Sequence, residues 1–224
     1  MAEAKDKPTP DQPIPKAVVS RLSLYLRELQ RLMREGSATT SSTQLGTLLG
    51  FTDAQVRKDL AYFGQFGYPG IGYRCEELVM AIRNILGTHR RWPIAIVGIG
   101  NLGRALIGYK GFDQQGFAIA AAFDADLSKS GATIDGVKVE PMDRLSEIVK
   151  SRGIKLAIVA VPATAAQQVA DELVAAGVDG ILNFAPVTLS LPKEVSRVGV
   201  DLAIELEQLA FAVVNHGNKT TEEE

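Results

Sequence analysis

Residues 97–106 read VGIGNLGRAL and set Gly98, Gly100 and Gly103 in the spacing G-x-G-x-x-G. The apolar run PIAIV (93–97) stands directly before them, and a helix-forming stretch follows. Strand, glycine turn and helix in that order form the first unit of a nucleotide-binding sheet. In such a turn Gly98 permits the sharp bend, Gly100 lets the main chain approach a pyrophosphate, and Gly103 lets the helix pack closely on the strand. Ile99, Asn101 and Leu102 complete the loop, and the helix start offers free N–H groups and a favourable dipole to phosphates. The motif alone does not separate a catalyst from a binder.

Downstream the same rhythm continues. FAIAAAFDAD (117–126) reads as a second buried strand ending on acid, and VKVEPMDRLSEIVKSRG (137–153) as a short strand with an amphipathic helix. KLAIVAVP, TAAQQVADELVAAG and GILNFAPV then give strand, helix, strand, over residues 155 to 187. The alternation predicts an open, doubly wound parallel sheet that takes its ligand at the carboxyl ends of the strands. Asp124, 21 residues past Gly103, ends the next strand. There it would accept hydrogen bonds from adenosine ribose hydroxyls and repel the 2′-phosphate of NADP; Asp126, deeper in the turn, is the alternative. Pro162 and Asn183 fall at the carboxyl ends of two later strands, where a nicotinamide would extend, although each also suits a purely structural turn.

Upstream the pattern is helical. From Lys16 to Glu35 the residues Val18, Leu22, Tyr25, Leu26, Leu29, Leu32 and Met33 recur at three and four, an amphipathic helix stopped by Gly36. Ser41 or Ser42 can cap a short helix through TQLGTLLG (43–50), and Asp53 a third, AQVRKDLAYF (54–63). Two short helices around a tight turn describe a helix-turn-helix. GQFGYPGIGYRC (64–75) suits a two-stranded hairpin, which makes the unit a winged helix, and the helix after it closes at Gly87. In the third helix Gln55, Arg57 and Lys58 take early solvent-facing positions, while Val56, Leu60 and Phe63 form the core stripe. Arginine reads guanine edges, and Lys58 reaches a base or a phosphate. Ser41, Ser42, Thr43 and Gln44 can present donors to phosphates.

Charge agrees with that division. The chain of 224 residues carries a net charge of −2, but residues 16–92 hold eleven Lys and Arg against six Asp and Glu, a net of +5. Such asymmetry marks one half as the partner of a polyanion. The single cysteine, Cys75, excludes an internal disulfide, and no leader or membrane-length apolar run is evident, so a cytoplasmic protein is expected. Catalytic equipment is missing. His89 and His216 have no evident acidic partner, no Tyr-x-x-x-Lys pair occurs, and no metal-ligand cluster is present. The dinucleotide therefore reads as a ligand rather than a reagent.

The expected organisation is a disordered arm (1–15), a winged-helix DNA-binding domain (16–87), a linker (88–92) and a Rossmann-type domain (93–198). An apolar helix (199–216) and an acidic tail (217–224) follow. The fold class is α/β.

TSSTQLGTLLGFTDAQVRKDLAYFG (40–64), GYPGIGY (67–73), VGIGNLGRAL, AAFDAD (121–126) and GILNFAPV (180–187) together resemble the Rex family of redox-sensing transcriptional repressors, over residues 16 to 215. The resemblance implies a homodimer that binds a palindromic double-stranded operator when NADH is scarce and releases it when the NADH to NAD⁺ ratio rises. It implies that Gly98 to Gly103 form the dinucleotide loop, that Asp124 binds adenosine, and that Arg57 and Lys58 touch the operator. It further implies that the C-terminal helix is domain-swapped, packing between the partner's two domains. Arg27 and Asp201 would form an intersubunit pair with Tyr109 competing. Exchange suits LAIELEQLAFAVVNH (202–216), a helix too apolar to stand in water. Two rivals remain open at this level: a small NAD-dependent oxidoreductase with a basic domain, and a nucleotide- or acyl-CoA-binding module.

Overall fold

The computed structural model describes residues 14–219; most of the expected arm lies outside the described residues, and residues 217–219 of the expected tail continue the last helix. The chain divides into two compact units between Arg90 and Arg91.

In the first unit, helix α1 (Lys16–Arg34) buries Val18, Leu22, Tyr25, Leu26, Leu29 and Leu32 along one face. Met33, expected on that face, is 39% exposed. A two-residue strand β1 (Thr39–Thr40) leads into α2 (Ser42–Leu49) and α3 (Asp53–Ala61). Ser41 caps α2 by accepting the Gln44 N–H. Thr52, not Asp53, caps α3, because its hydroxyl accepts the Gln55 N–H while Asp53 is already the first helical residue. Strand β2 (Tyr73–Arg74) precedes α4 (Cys75–Leu86), which ends on left-handed Gly87. One core joins the helices through Leu22, Leu29, Leu45, Val56, Leu60, Leu78 and Ile82.

The wing departs from expectation. Within residues 64–75 only Tyr68 and Gly72 make a bridge, and β2 pairs antiparallel with β1 instead. The reason is local: the Gly72 backbone lies so close to the Thr40 carbonyl that no Cβ fits, which seats the strand against β1.

The second unit is a seven-stranded sheet flanked by helices. Its elements are β3 (Trp92–Val97), α5 (Asn101–Ile107), α6 (Gly111–Gln114), β4 (Phe117–Asp124), β5 (Thr133–Ile134), β6 (Val137–Pro141), α7 (Leu145–Ser151), β7 (Leu156–Val159), α8 (Ala163–Ala175), β8 (Gly180–Asn183), β9 (Ser196–Gly199) and α9 (Leu202–Lys219). The strand order is β5-β6-β4-β3-β7-β8-β9, parallel throughout except for the β5–β6 hairpin. The chain builds outward from β3 to one side, then returns to its other side at β7, so the order reverses at β3. Helices α7 and α8 cover one face through Val97, Phe123, Leu145, Val159 and Leu173. Ile94, Ile96, Ile99 and Ile158 build the core on the other face.

Two strands were not anticipated. The β5–β6 hairpin turns on Asp135 (φ 46°) and Gly136, an Asp-Gly pair that is a hairpin signal. Strand β9 is exposed along its length and so lacks a buried-strand pattern.

A candidate dinucleotide turn and a candidate DNA-facing surface

The glycine turn sits where the strand order reverses. The Gly98 N–H donates to the Phe123 carbonyl at 2.9 Å, and the Ala160 N–H donates to the Val97 carbonyl at 2.8 Å. Gly98 has φ 96°, and a Cβ there would overlap the Ala160 carbonyl. Gly103 leaves no space for a Cβ either, since the Gly98 carbonyl occupies it. Gly100 faces open space, as a ligand-approach position must. Asn101 and Leu102 are exposed on the first turn of α5, which has no side-chain cap to occupy its N–H groups. Ile99 is different: its side chain is core, and only its main chain belongs to the loop.

Asp124 is 7% exposed at the end of β4. Its Oδ2 accepts the Ile99 N–H at 2.7 Å and Lys129 Nζ at 3.0 Å, and its Oδ1 accepts the Asp126 N–H at 2.8 Å. Burial pushes this carboxyl up, but the Asp126 N–H, the Lys129 ammonium and the Ile99 N–H together hold it below the usual carboxylate range. The carboxylate thus ties the glycine turn to the strand beside it before any ligand arrives. Asp126 is the more open acid, engaged with Ser128. Lys129 was not anticipated; its signal was the spacing in DADLSK, which returns a cation to the acid five residues before it.

Of the later strand ends, Pro162 is exposed at the start of α8, beyond β7. The Asn183 side chain is engaged with its own loop. It donates to the Ala185 and Val187 carbonyls at 3.0 and 2.8 Å and accepts the Ala185 N–H at 3.0 Å, so its amide shapes the following loop. A cavity of about 290 Å³ opens beside that loop, lined by Val187, Thr188, Asp201 and Ile204 among others.

In the first unit, Ser42 and Arg57 come together from two helices: Arg57 Nη1 donates to Ser42 Oγ at 3.2 Å and to Asp53 Oδ2 at 2.6 Å. Lys58 and Thr43 are exposed alongside. Gln44 accepts the Thr40 hydroxyl at 2.9 Å. Gln55 corrects its expected placement: it is half-buried, and Nε2 donates to Asp59 Oδ1 at 2.7 Å, because Asp59 beneath it is an acceptor without solvent. That buried acid also takes Arg21 and Tyr25 from α1. An aspartate beside Leu60 on the apolar stripe of α3 was the available signal for this cluster.

Arg27 is exposed on α1, and Tyr109 is 59% exposed, edge-on to Phe112. Asp201 caps α9 by accepting the Ala203 N–H at 3.0 Å. Among the described residues no three His, Cys, Asp or Glu side chains are grouped to hold a metal, and no helix is long and apolar enough to cross a membrane.

A winged helix-turn-helix unit joined to a dinucleotide-type sheet defines the class: a DNA-binding regulator with a nucleotide-binding unit. Residues 13–61 match the family described as "Putative DNA-binding protein N-terminus", and residues 89–187 match that described as "CoA binding domain". The redox-sensing transcriptional repressor Rex of Desulfitobacterium hafniense is 49% identical over 200 residues, covering 89% of this chain and 95% of that protein. The Rex of Streptomyces coelicolor is 48% identical, covering 88% and 77%. The crystal structure of RSP in complex with β-NAD⁺ and operator DNA superimposes with a TM-score of 0.87 at 32% identity, covering 95% of this chain and 99% of that one. RSP in complex with β-NADH gives 0.85 at 30% identity, covering 95% and 100%. The chain belongs to the Rex family of redox-sensing transcriptional repressors. Membership in a family of repressors sets aside the oxidoreductase reading.

Proposed function

We propose that the chain binds palindromic operator DNA as a homodimer and leaves it when NADH occupies the second unit. One observation carries this reading: a single chain holds both a helix-turn-helix surface, where Ser42 and Arg57 meet, and an uncapped glycine turn at the reversal point of a parallel sheet. Gly98 to Gly103 receive the pyrophosphate. Asp124 with Asp126 faces the adenosine ribose, and Arg57 and Lys58 contact the operator. NAD⁺ and NADH differ at the nicotinamide by one positive charge. Burial of an unpaired charge in an apolar site is unfavourable, so a closed site prefers the reduced form.

Two apolar surfaces favour a dimer. Helix α9 exposes Leu202, Leu206, Leu209, Phe211, Val213 and Val214, each by 60% or more. A groove of about 410 Å³ beside α6, lined by Phe112, Phe117, Leu156, Leu182 and Val198 among others, lies open on the sheet. Exchange of α9 into the partner would cover apolar surface that one chain leaves in water. Arg27 and Asp201, with Tyr109 as the competing partner, then link ligand state to the spacing of two recognition helices, roughly 34 Å for half-sites one turn apart. The protein acts in the cytoplasm.

A gel-shift titration with a palindromic promoter duplex, with and without NADH, tests this. Binding lost on adding NADH is expected, and operator must weaken NADH by the factor that NADH weakens operator. DNA binding indifferent to NADH would overturn the reading. In the same assay Asp201→Ala should blunt release.

A further inference from the structure

The recognition helix buries a carboxylate whose partners determine how one of its outward groups can face DNA. Asp59 is fully enclosed, yet Arg21 Nε and Nη2 reach it at 2.5 and 2.8 Å, Tyr25 Oη at 2.8 Å and Gln55 Nε2 at 2.7 Å. Arg21 and Tyr25 belong to α1, and Gln55 lies one turn earlier on α3. Burial alone would raise the Asp59 carboxyl; the Arg21 guanidinium, the Tyr25 hydroxyl and the Gln55 amide hold it below the usual range, so it stays ionised. An ionised carboxylate only accepts. Gln55 must therefore turn its nitrogen toward Asp59, and the flipped amide, which would aim Oε1 at a buried anion, is closed to it.

What remains free on Gln55 is the second Nε2 hydrogen and the Oε1 lone pairs, one donor beside one acceptor. Adenine offers the complement in the major groove, an N7 acceptor beside an N6–H₂ donor, whereas guanine offers two acceptors. Gln55 precedes the exposed Lys58 by three residues, which sets both on one flank of the helix. Its neighbour Ala54 is exposed and small, so nothing bulky holds a groove edge away.

Resting on the reading of this unit as DNA-binding, we propose that Gln55 is a specificity-determining residue that reads one adenine in each operator half-site. Asp59, held by Arg21 and Tyr25, is the positioning residue that fixes the orientation of its amide.

The experiment is binding-site selection by the full-length chain from a random duplex library, followed by titration of the selected duplex with single bases replaced. The wild type should select a two-fold symmetric site with one adenine per half-site whose replacement, by another base or by 7-deaza-adenine, weakens binding roughly tenfold or more. Gln55→Ala should erase preference at that position alone among the bases of the site; the cap at Thr52 uses only the main chain of residue 55 and is kept. Asp59→Asn should weaken the same preference, since an amide at 59 lets Gln55 turn over. Selection of an undiminished adenine by Gln55→Ala, or the loss of a different base, overturns the assignment. Full preference in Asp59→Asn overturns the positioning role. A wild-type chain that selects no site overturns the repressor reading itself, a result distinct from the other two.

Discussion

Each unit buries an aspartate, and the two are held in different ways. Asp59 is surrounded by side chains from two helices, a guanidinium, a phenol and an amide. Asp124 is held by the main-chain N–H groups of Ile99 and Asp126, with a single ammonium from Lys129. Side-chain partners lock one helix against another, because they disappear if either helix shifts. Main-chain partners lock a turn, because they persist only while the turn keeps its path. The first aspartate therefore sets the pose of a rigid recognition helix, and the second keeps a ligand loop open in advance, so that binding need not order it.

Removal of the first lock should have the largest effect. Asp59→Ala leaves Arg21 and the Tyr25 hydroxyl without their acceptor, and breaking a buried pair in this way costs about 3 kcal/mol or more. Thermal unfolding of the first unit should move down sharply while NADH affinity, measured by titration, stays unchanged. A parallel loss of NADH affinity would mean the two aspartates are not independent. Next comes Gly98→Ala. It adds a Cβ where the Ala160 carbonyl lies, at a φ of 96°, and such backbone strain is worth about 1–3 kcal/mol. NADH binding should be lost with DNA binding kept, a repressor that no longer releases; retained NADH response in a gel-shift titration would show that the turn tolerates another path.

The same contrast explains what was legible in the sequence. Asp124 stands at a position dictated by the order strand, turn, helix, strand, and β3, β4, β7 and β8 could all be read from apolar runs ended by glycine, acid or proline. Of its partners, Lys129 has a signal in the spacing of DADLSK, whereas the Ile99 N–H, 25 residues earlier, has none. Asp59 breaks the apolar period of α3, and nothing local says that Arg21, 38 residues earlier, will meet it. The bond from Gln55 to Asp59 has no local signal for the same reason. Asn183 shows the limit at a strand end, where a side chain facing a ligand and one closing its own loop have the same sequence signature. The wing misled because its register is set by contact between Gly72 and Thr40, 32 residues apart.

Lys129 allows a smaller, pH-dependent test. The Asp124 carboxyl is depressed in the fold, so its stabilising contribution is complete above the unfolded value, about 3.9, and is lost as pH falls through the lower folded value. Lys129→Ala removes one of three donors and brings the folded value up. Above about pH 4 the variant should be less stable than the wild type, and the gap should close as pH falls below that. A gap that persists at acid pH would show that Lys129 acts through packing rather than through Asp124.

The smallest effect is expected at a third aspartate of the comparison, one left in water. Asp53 pairs with Arg57 at 2.6 Å, with both side chains more than 40% exposed. Solvent screens such a pair, so Asp53→Ala should leave the melting temperature almost unchanged. Its effect belongs to DNA. If Arg57 contacts the operator as proposed, it must leave Asp53, and the carboxylate left behind would repel the phosphates. Asp53→Ala should therefore raise affinity a few-fold for operator and unrelated duplex alike, because the gain acts on backbone charge that every sequence shares. A gain confined to the operator would instead make Asp53 part of base recognition, and would move the specificity of α3 from the flank that Asp59 holds rigid to the flank that water leaves free.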